Sequence, residues 1–480
     1  MALMSIGRAL SWLAEQDPDR VAVTDAAGSV TRRELDLLSN RLARAYTELG
    51  VHRDDLVTIG LPNGVEYFLA CAAIWKLGAT PQPVSAKLPA AELAAVVALA
   101  DPSLLIGLDL PGRRSAPAGF DASAYDDAPL PDVVASSWKA PTSGGSTGRP
   151  KLILSGTSGE VDPAAAAVPY IPHHGVQLVP GPLYHNGPFI YSMRGLLSGQ
   201  SLVIMERFDA ERALQLVEAH RVTWMLLVPT MMQRIWRLPE HVRTSYDVSS
   251  LELVLHLGAP CPEWLKRAWI DWLGPDRVVE VYAGTESQGV TAIGGREWLE
   301  HPGSVGRPVL GSQFRVLGPD GRDVPAGTTG EVFMLPAGGQ GSTYSYRGAE
   351  PRSIDGWESL GDLGHLDADG YLYLADRSAD LILSGGANVY PAEVEAALDA
   401  HPAVRSSAVF GLPDEDLGER VHAVVDIAAA DVSEGELLAH VAERLVRYKV
   451  PRSLELVREP LRDDAGKLRR SALRAERLTD

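Results

Sequence analysis

The chain has 480 residues, 45% hydrophobic and 22% charged, the balance of a soluble globular protein too long for one compact core. Its 62 acidic residues outnumber 44 basic ones, and a formal charge of −18 without a local basic patch disfavours nucleic acid and anionic lipid as partners. Cys71 and Cys261 show no metal-ligand spacing, and no apolar run reaches the roughly 18 residues of a membrane span. Reduced, buried thiols and a cytoplasmic setting are expected.

Thr31-Arg-Arg-Glu34 is a capping box, followed by Leu35, Leu38, Leu42, Ala45 and Leu49 at helical spacing up to Gly50. An apolar strand at Leu56–Leu61 and a helix from Val65 to Leu77 follow, the alternation of a βαβ unit. It recurs with strands at Ser201–Met205 and Trp224–Val228 around a helix Ala210–His220. Strands at Leu251–Leu257 and Val278–Tyr282 then flank a helix from Pro262 to Leu273. An α/β body with more than one sheet is the economical reading.

From Gly306 to Leu374 the texture changes. Strand-like Phe314–Leu317, Glu331–Leu335 and Tyr371–Ala375 alternate with Gly, Pro and Asp turns, predicting a small β-rich subdomain. After Arg377 the chain predicts a helix near Pro391, strands at Ser407–Gly411 and Val421–Ile427, and a helix at the capping box Ser433–Glu436. The expected division is an N-terminal body, residues 1–376, and a small α+β C-terminal domain, residues 377–480.

The chemistry is signalled first by Thr142–Lys151, TSGGSTGRPK, where glycines and hydroxyls beside two cations can turn backbone N–H groups toward a polyphosphate. Taken alone, it reads equally as a flexible surface loop. It lacks the GxxxxGK[ST] pattern of a P-loop. Further along stand PLYHNGPF (Pro182–Phe189), VPTMM (Val228–Met232), GAP (Gly258–Pro260) and YAGTES (Tyr282–Ser287). SLGD (Ser359–Asp362), DRSADLILSGGANVYPAEVE (Asp376–Glu395) and DDAGKLRR (Asp463–Arg470) complete the order. His185 follows a strand-like PLY, Glu286 closes a strand inside a turn, and Asp362 reads as a residue of a Gly-Asp turn.

This order and content resemble the acyl-adenylate-forming superfamily over nearly the whole chain, and within it are most similar to fatty-acyl and bile-acid-type CoA ligases. The resemblance implies ATP, Mg²⁺ and coenzyme A as cofactors and a small-molecule carboxylic acid as substrate. It implies Lys467 as the catalytic lysine, with Glu286 as Mg²⁺ ligand, Thr285 beside it and His185 at the mouth of the acyl pocket. ATP and AMP would be held by Thr142, Ser143, Gly144, Gly145, Ser146, Thr147, Gly148 and Lys151. Gly258, Ala259, Pro260, Tyr282, Ala283, Gly284, Asp362 and Arg377 would hold the nucleoside. Ser384, Gly385 and Gly386 would form the coenzyme A loop, Asp376 and Ala379 the hinge, and His185, Asn186, Gly187, Ile190, His256 and Gly289 the acyl pocket.

Small and apolar pocket positions favour a fatty, steroid- or terpenoid-like acid, and no Asp is placed to pair with an α-amino group. Ala379, where relatives carry Asp or Lys, and Leu360, where Thr is common, depart from the pattern. Transfer of the acyl-adenylate to a carrier or partner protein, and a catalytically silent nucleotide-binding protein, are the alternatives. The oligomeric state, a homodimer included, is open.

Overall fold

The computed structural model describes residues 3–144, 150–164, 171–172, 175–428, 432–463 and 466–478. Gly145, Ser146, Thr147 and Gly148 of the glycine/hydroxyl stretch lie outside these. Among the described residues the largest sheet has nine strands. Its core is parallel: Val21–Thr24, Ser201–Ile204, Val176–Val179, Trp224–Leu227, Leu253–His256 and Val278–Ala283, in that spatial order. The inner strands read as continuous apolar runs because helices cover the sheet, and these residues are buried throughout Trp224–Leu227 and Leu253–His256. Antiparallel Val290–Gly294 and Arg307–Pro308 finish one edge.

A four-stranded parallel sheet, Thr80–Pro83, Leu56–Ile59, Leu104–Ile106 and Ser115–Ala116, lies N-terminal to it in the chain. Its helices carry the expected signals. Arg32–Glu48 starts at a reciprocal capping box, with Thr31 Oγ1 accepting from the Glu34 N–H at 3.2 Å and Glu34 Oε2 accepting from the Thr31 N–H at 2.7 Å. Helix Val65–Lys76 packs Phe68, Cys71 and Trp75 into the same core, so Cys71 is a buried thiol; Cys261 is half-buried, and both are free.

The two described ends of the glycine/hydroxyl stretch sit in a three-stranded sheet. Thr142–Gly144 pairs with Pro150–Ser155, which pairs on its other side with Tyr344–Arg347. The β-rich part is a sheet of Gln313–Leu317, Gly330–Leu335, Trp357–Leu366, Arg352–Ile354 and Leu372–Arg377. The C-terminal unit has its own core around Val394, Leu398, Val421 and Leu437. It is built on the long hairpin Val404–Asp414/Gly418–Ile427, with helices Pro391–Asp399 and Glu434–Ala442. No described helix is long and apolar enough to cross a membrane.

Two local expectations are corrected. Pro182–Tyr184 is a turn, closed by a His185 N–H to Pro182 carbonyl bond of 3.1 Å, and His185 then caps helix Asn186–Leu197. Asp362 lies within strand Trp357–Leu366, opposite Arg377; the left-handed Gly361 (φ 81°) precedes it without ending the strand, because the long-range partner Leu372–Arg377 holds it.

Candidate active site

Parallel strands end together, and in open α/β sheets ligands sit beyond those carboxyl ends. Here the residues just past four strands line one cavity of about 840 Å³: Gly181 and Pro182, Val228, Gly258, and Thr285–Glu286. Gly284 packs closely under Leu360 and Glu286: a Cβ would lie 2.4 Å from Leu360 Cδ1 and 3.2 Å from Glu286 Oε2, so a side chain here would displace Leu360. Ser287, a non-glycine residue at φ 57°, completes the strained turn that aims Glu286 inward.

Glu286 is 4% exposed. Lys151 Nζ donates to its Oε1 at 2.8 Å, and Tyr346 Oη donates to the same oxygen at 2.5 Å. Lys151 also lies 2.8 Å from Tyr346 Oη. Burial alone would raise the Glu286 pKa, but the Lys151 charge and the two hydrogen bonds outweigh it and hold the carboxyl below its ordinary value. Tyr346 escapes sequence reasoning. STYSYRG carries no chemical signal, and only the pairing of Tyr346 with Ile153, two residues from Lys151 on the same strand face, reveals it.

Tyr282 Oη donates to Asp362 Oδ2 at 2.5 Å, and Arg377 Nε lies 3.3 Å from Asp362 Oδ1. Arg377 lines the cavity, as do Thr142, Lys151, Gly258, Ala283 and Gly284. The side chain of Ser143 lies outside the described residues, as do Gly145, Ser146, Thr147 and Gly148 entirely. Ala259 and Pro260 continue the turn after Gly258 without lining the cavity.

The small domain reaches this cavity. Lys467 lines it, its backbone N–H donating to Asp463 Oδ1 at 2.9 Å. Gly466 (φ 75°) packs on the body: a Cβ there would sit 2.8 Å from Thr230 Oγ1 of the VPTMM stretch. Asp463 Oδ2 lies 3.8 Å from His185 Nε2. Burial lowers the Lys467 pKa, opposed by the Asp463 charge and reinforced by Arg377. No described carboxylate comes within ion-pair distance of its ammonium.

Asn186, Gly187 and Ile190 line the cavity as helix Asn186–Leu197 descends along it. His256 does not. It is fully buried, 4.0 Å from Glu280 and beside the Lys266–Glu280 pair (2.5 Å), where burial and then the Lys266 charge drive its pKa well down. Gly289 faces the β-rich sheet instead, with Met334 Sδ 2.7 Å from where a Cβ would be. Ser384 is buried, Gly385 and Gly386 are exposed, and none of the three lines the cavity. Ala379 lines it. Asp376 accepts from the Ala392 N–H at 2.8 Å, with Arg470 3.9 Å away.

Cations from two regions thus converge on the cavity around one paired carboxylate, a donor set that suits a polyphosphate. Among the described residues no group of three or more His, Cys, Asp or Glu side chains could hold a metal alone. Mg²⁺ fits differently, through one carboxylate and substrate phosphates. Both hydrogen bonds to Glu286 land on Oε1, and Oε2 takes neither.

Fold and site define an adenylate-forming ligase of the acid–thiol type, a class whose cofactors are ATP, Mg²⁺ and coenzyme A. The chain belongs to the AMP-binding enzyme family: residues 10–339 match that domain, and residues 393–467 match the AMP-binding enzyme C-terminal domain. It is 33% identical to a feruloyl-CoA synthase of an Amycolatopsis species, over 96% of either chain. It is 30% identical to the long-chain-fatty-acid–CoA ligase FadD13 of Mycobacterium tuberculosis, over 99% of either chain. The o-succinylbenzoate CoA synthetase of Bacillus subtilis, solved with its acyl-adenylate intermediate, superposes with a TM-score of 0.83 at 26% identity over 98% of either chain.

Proposed function

We propose that the protein activates a carboxylic acid with an apolar body as its acyl-adenylate and transfers the acyl group to coenzyme A. The observation that carries this reading is the entry of Lys467, from the small domain, into a cavity walled by the body's Lys151–Glu286 pair and Arg377. Ile190, Leu226, Met231, Leu257, Val281 and Val309 give the acyl end apolar walls.

The acid needs no general base, because it is ionised at neutral pH. Its oxygen attacks the α-phosphorus of ATP, forming the acyl–phosphate bond as the bond to pyrophosphate breaks. Two anions must meet in this step, and the Lys467 ammonium between them offsets their repulsion and the charge spread over the phosphoryl oxygens. Lys151 and Thr142 face the departing phosphates. Glu286 would hold Mg²⁺, which would supply positive charge against those phosphates. Asp362 is placed to accept from ribose hydroxyls once Tyr282 and Arg377 yield to the nucleoside.

In the second step the coenzyme A thiol, giving up its proton to solvent, attacks the carbonyl carbon of the acyl–phosphate mixed anhydride, forming the thioester as the bond to the phosphate oxygen breaks and AMP leaves, and Lys467 with its turn fills that approach. Rotation about Asp376–Asp380 withdraws the lysine and brings the Ser384–Pro391 segment to the cavity, where its two exposed left-handed glycines, Gly385 (φ 58°) and Gly386 (φ 79°), permit close backbone approach by a pantetheine arm.

The test is pyrophosphate release across fatty, aromatic, steroid and diterpenoid acids, each with and without coenzyme A, following the thioester directly. Acid-dependent pyrophosphate with thioester formation supports the reading. Adenylate that accumulates with no thioester moves the acceptor to another protein, and no acid-dependent pyrophosphate at all removes the ligase assignment.

A further inference from the structure

The cavity carries a further cation, Arg194, on the helix that also supplies Asn186 and Ile190. Helix Asn186–Leu197 lays Asn186, Ile190 and Arg194 along the cavity at four-residue intervals, so Arg194 stands two turns beyond Asn186, about 12 Å along the axis. Its guanidinium lines the cavity yet makes no hydrogen bond or ion pair to any described residue, and no described carboxylate lies within 4 Å of it. The Trp138 ring lies 5.8 Å from Cζ, and Tyr191 and Lys139 interact with the charge electrostatically, but none of the three is an anion at neutral pH. Burial pushes the guanidinium pKa down, as expected for a cation removed from water without an anion.

Lys139 adds to the same imbalance from behind the wall. It is 4% exposed, and its ammonium donates to the neutral Asn186 Oδ1 at 2.9 Å with no carboxylate partner among the described residues. Buried cations are ordinarily paired, because an uncompensated charge away from water is costly. An arginine lining a substrate cavity, without a hydrogen-bond or ion-pair partner among the described residues, matches a planar carboxylate, which accepts two parallel N–H bonds.

We propose that the far end of the acyl cavity is a binding site for a second carboxylate, held by Arg194, so that the preferred acid has an apolar body with a carboxylate at each end. This rests on the reading of the cavity as the acyl pocket. His185, which meets Asp463 of the Lys467 turn at 3.8 Å, directly precedes Asn186, and the rise of about 12 Å from Asn186 to Arg194 suits a linear or ring-bearing diacid with its second carboxylate at Arg194.

The test compares suberic and sebacic acids with their monomethyl esters on the full-length enzyme and on Arg194→Leu and Arg194→Lys. Calorimetry reads affinity without nucleotide, and pyrophosphate release reads kcat/KM. The wild type should favour each diacid over its ester by on the order of 10- to 100-fold in both readouts. Arg194→Leu should erase that preference while keeping the ester's turnover, which also shows that it folds, and Arg194→Lys should restore part of it. Equal handling of diacid and ester by the wild type, or a preference that survives in Arg194→Leu, overturns the subsite. If Arg194→Leu does not fold, the wild-type contrast decides. Ester turnover without diacid preference removes the subsite and leaves the ligase standing; Arg194-dependent diacid binding without pyrophosphate release does the reverse.

Discussion

Two lysines face the cavity from regions that hold them differently. Lys151, on a strand of the body, is fixed by Glu286 at 2.8 Å and Tyr346 at 2.8 Å, and lies 4.2 Å over the Tyr346 ring. Lys467, on a turn of the small domain, has no described carboxylate at its ammonium, and its turn meets the body through packing of Gly466 on Thr230 and the Asp463–His185 approach. Elsewhere the two units are joined by sparse polar contacts. Arg237 donates to the carbonyls of Asp399 and Val404, and Arg469 lies 3.7 Å from Glu92. Inside the small domain, by contrast, Arg470 is bound to Asp380 at 2.7 Å and Glu395 at 2.9 Å. A pre-ordered cation suits a group that must only grip phosphates. A weakly tethered one suits a group that must enter and leave.

The contrast can be broken most forcefully at Lys467. Lys467→Ala should lower acid-dependent pyrophosphate release by on the order of 10²–10³ while ATP affinity by calorimetry stays within a few-fold. Undiminished turnover would refute the role. On the pinned side, Tyr346→Phe removes a hydrogen bond from a buried carboxylate, a loss of about 1–3 kcal/mol that should appear as a fall of roughly 5- to 150-fold in kcat/KM for ATP. Steady-state kinetics with ATP varied decides it, and an unchanged value contradicts the idea that Tyr346 fixes the pair.

Lys139 sharpens the comparison from a third direction, since it is buried, unpaired by any described carboxylate and outside the cavity lining. Burial, then repulsion from Arg194, pushes its pKa from 10.5 down to about 7. The folded state therefore sheds this proton before the unfolded chain does, so stability should rise as pH climbs from about 7 toward 10. Lys139→Met should flatten that slope and, near neutral pH, stabilise by a few kcal/mol. Parallel denaturation midpoints for the two proteins across this range would contradict the assignment. The smallest effect is expected at the domain seam. Arg237→Ala removes hydrogen bonds to two small-domain carbonyls, a cost of about 0.5–1.5 kcal/mol, so adenylation should slow less than tenfold. Faster proteolysis between the two units is the measurable companion, and unaltered cleavage would show that Arg237 does not hold the seam.

Much of the scaffold was legible from local signals. The Thr31 capping box, the helix Ala210–His220 and the parallel strands around Trp224–Leu227 were all marked by their own residues. Asp362 misled, because a Gly-Asp pair signals a turn locally while its strand is held by residues ten and more positions away. Resemblance pointed to Lys467 as the catalytic lysine, but its place in the cavity depends on how its turn docks, with Gly466 against Thr230. Arg194 and Lys139 could have been flagged as cations inside the apolar stretches NGPFIYSMRGLL and SSWKAP. What no pattern could supply was whether an anion waits across the fold for either of them. Tyr346 was invisible for the same reason: its role comes from register with a strand almost two hundred residues earlier.

The central claim is that Lys467 serves adenylate formation alone and must vacate the cavity for the thiol. Supplying Lys467→Ala with a preformed acyl-adenylate and coenzyme A, and following thioester directly, tests it most plainly. The account predicts thioester at close to the wild-type rate from a protein that can scarcely make the adenylate itself. Loss of both half-reactions together would contradict it.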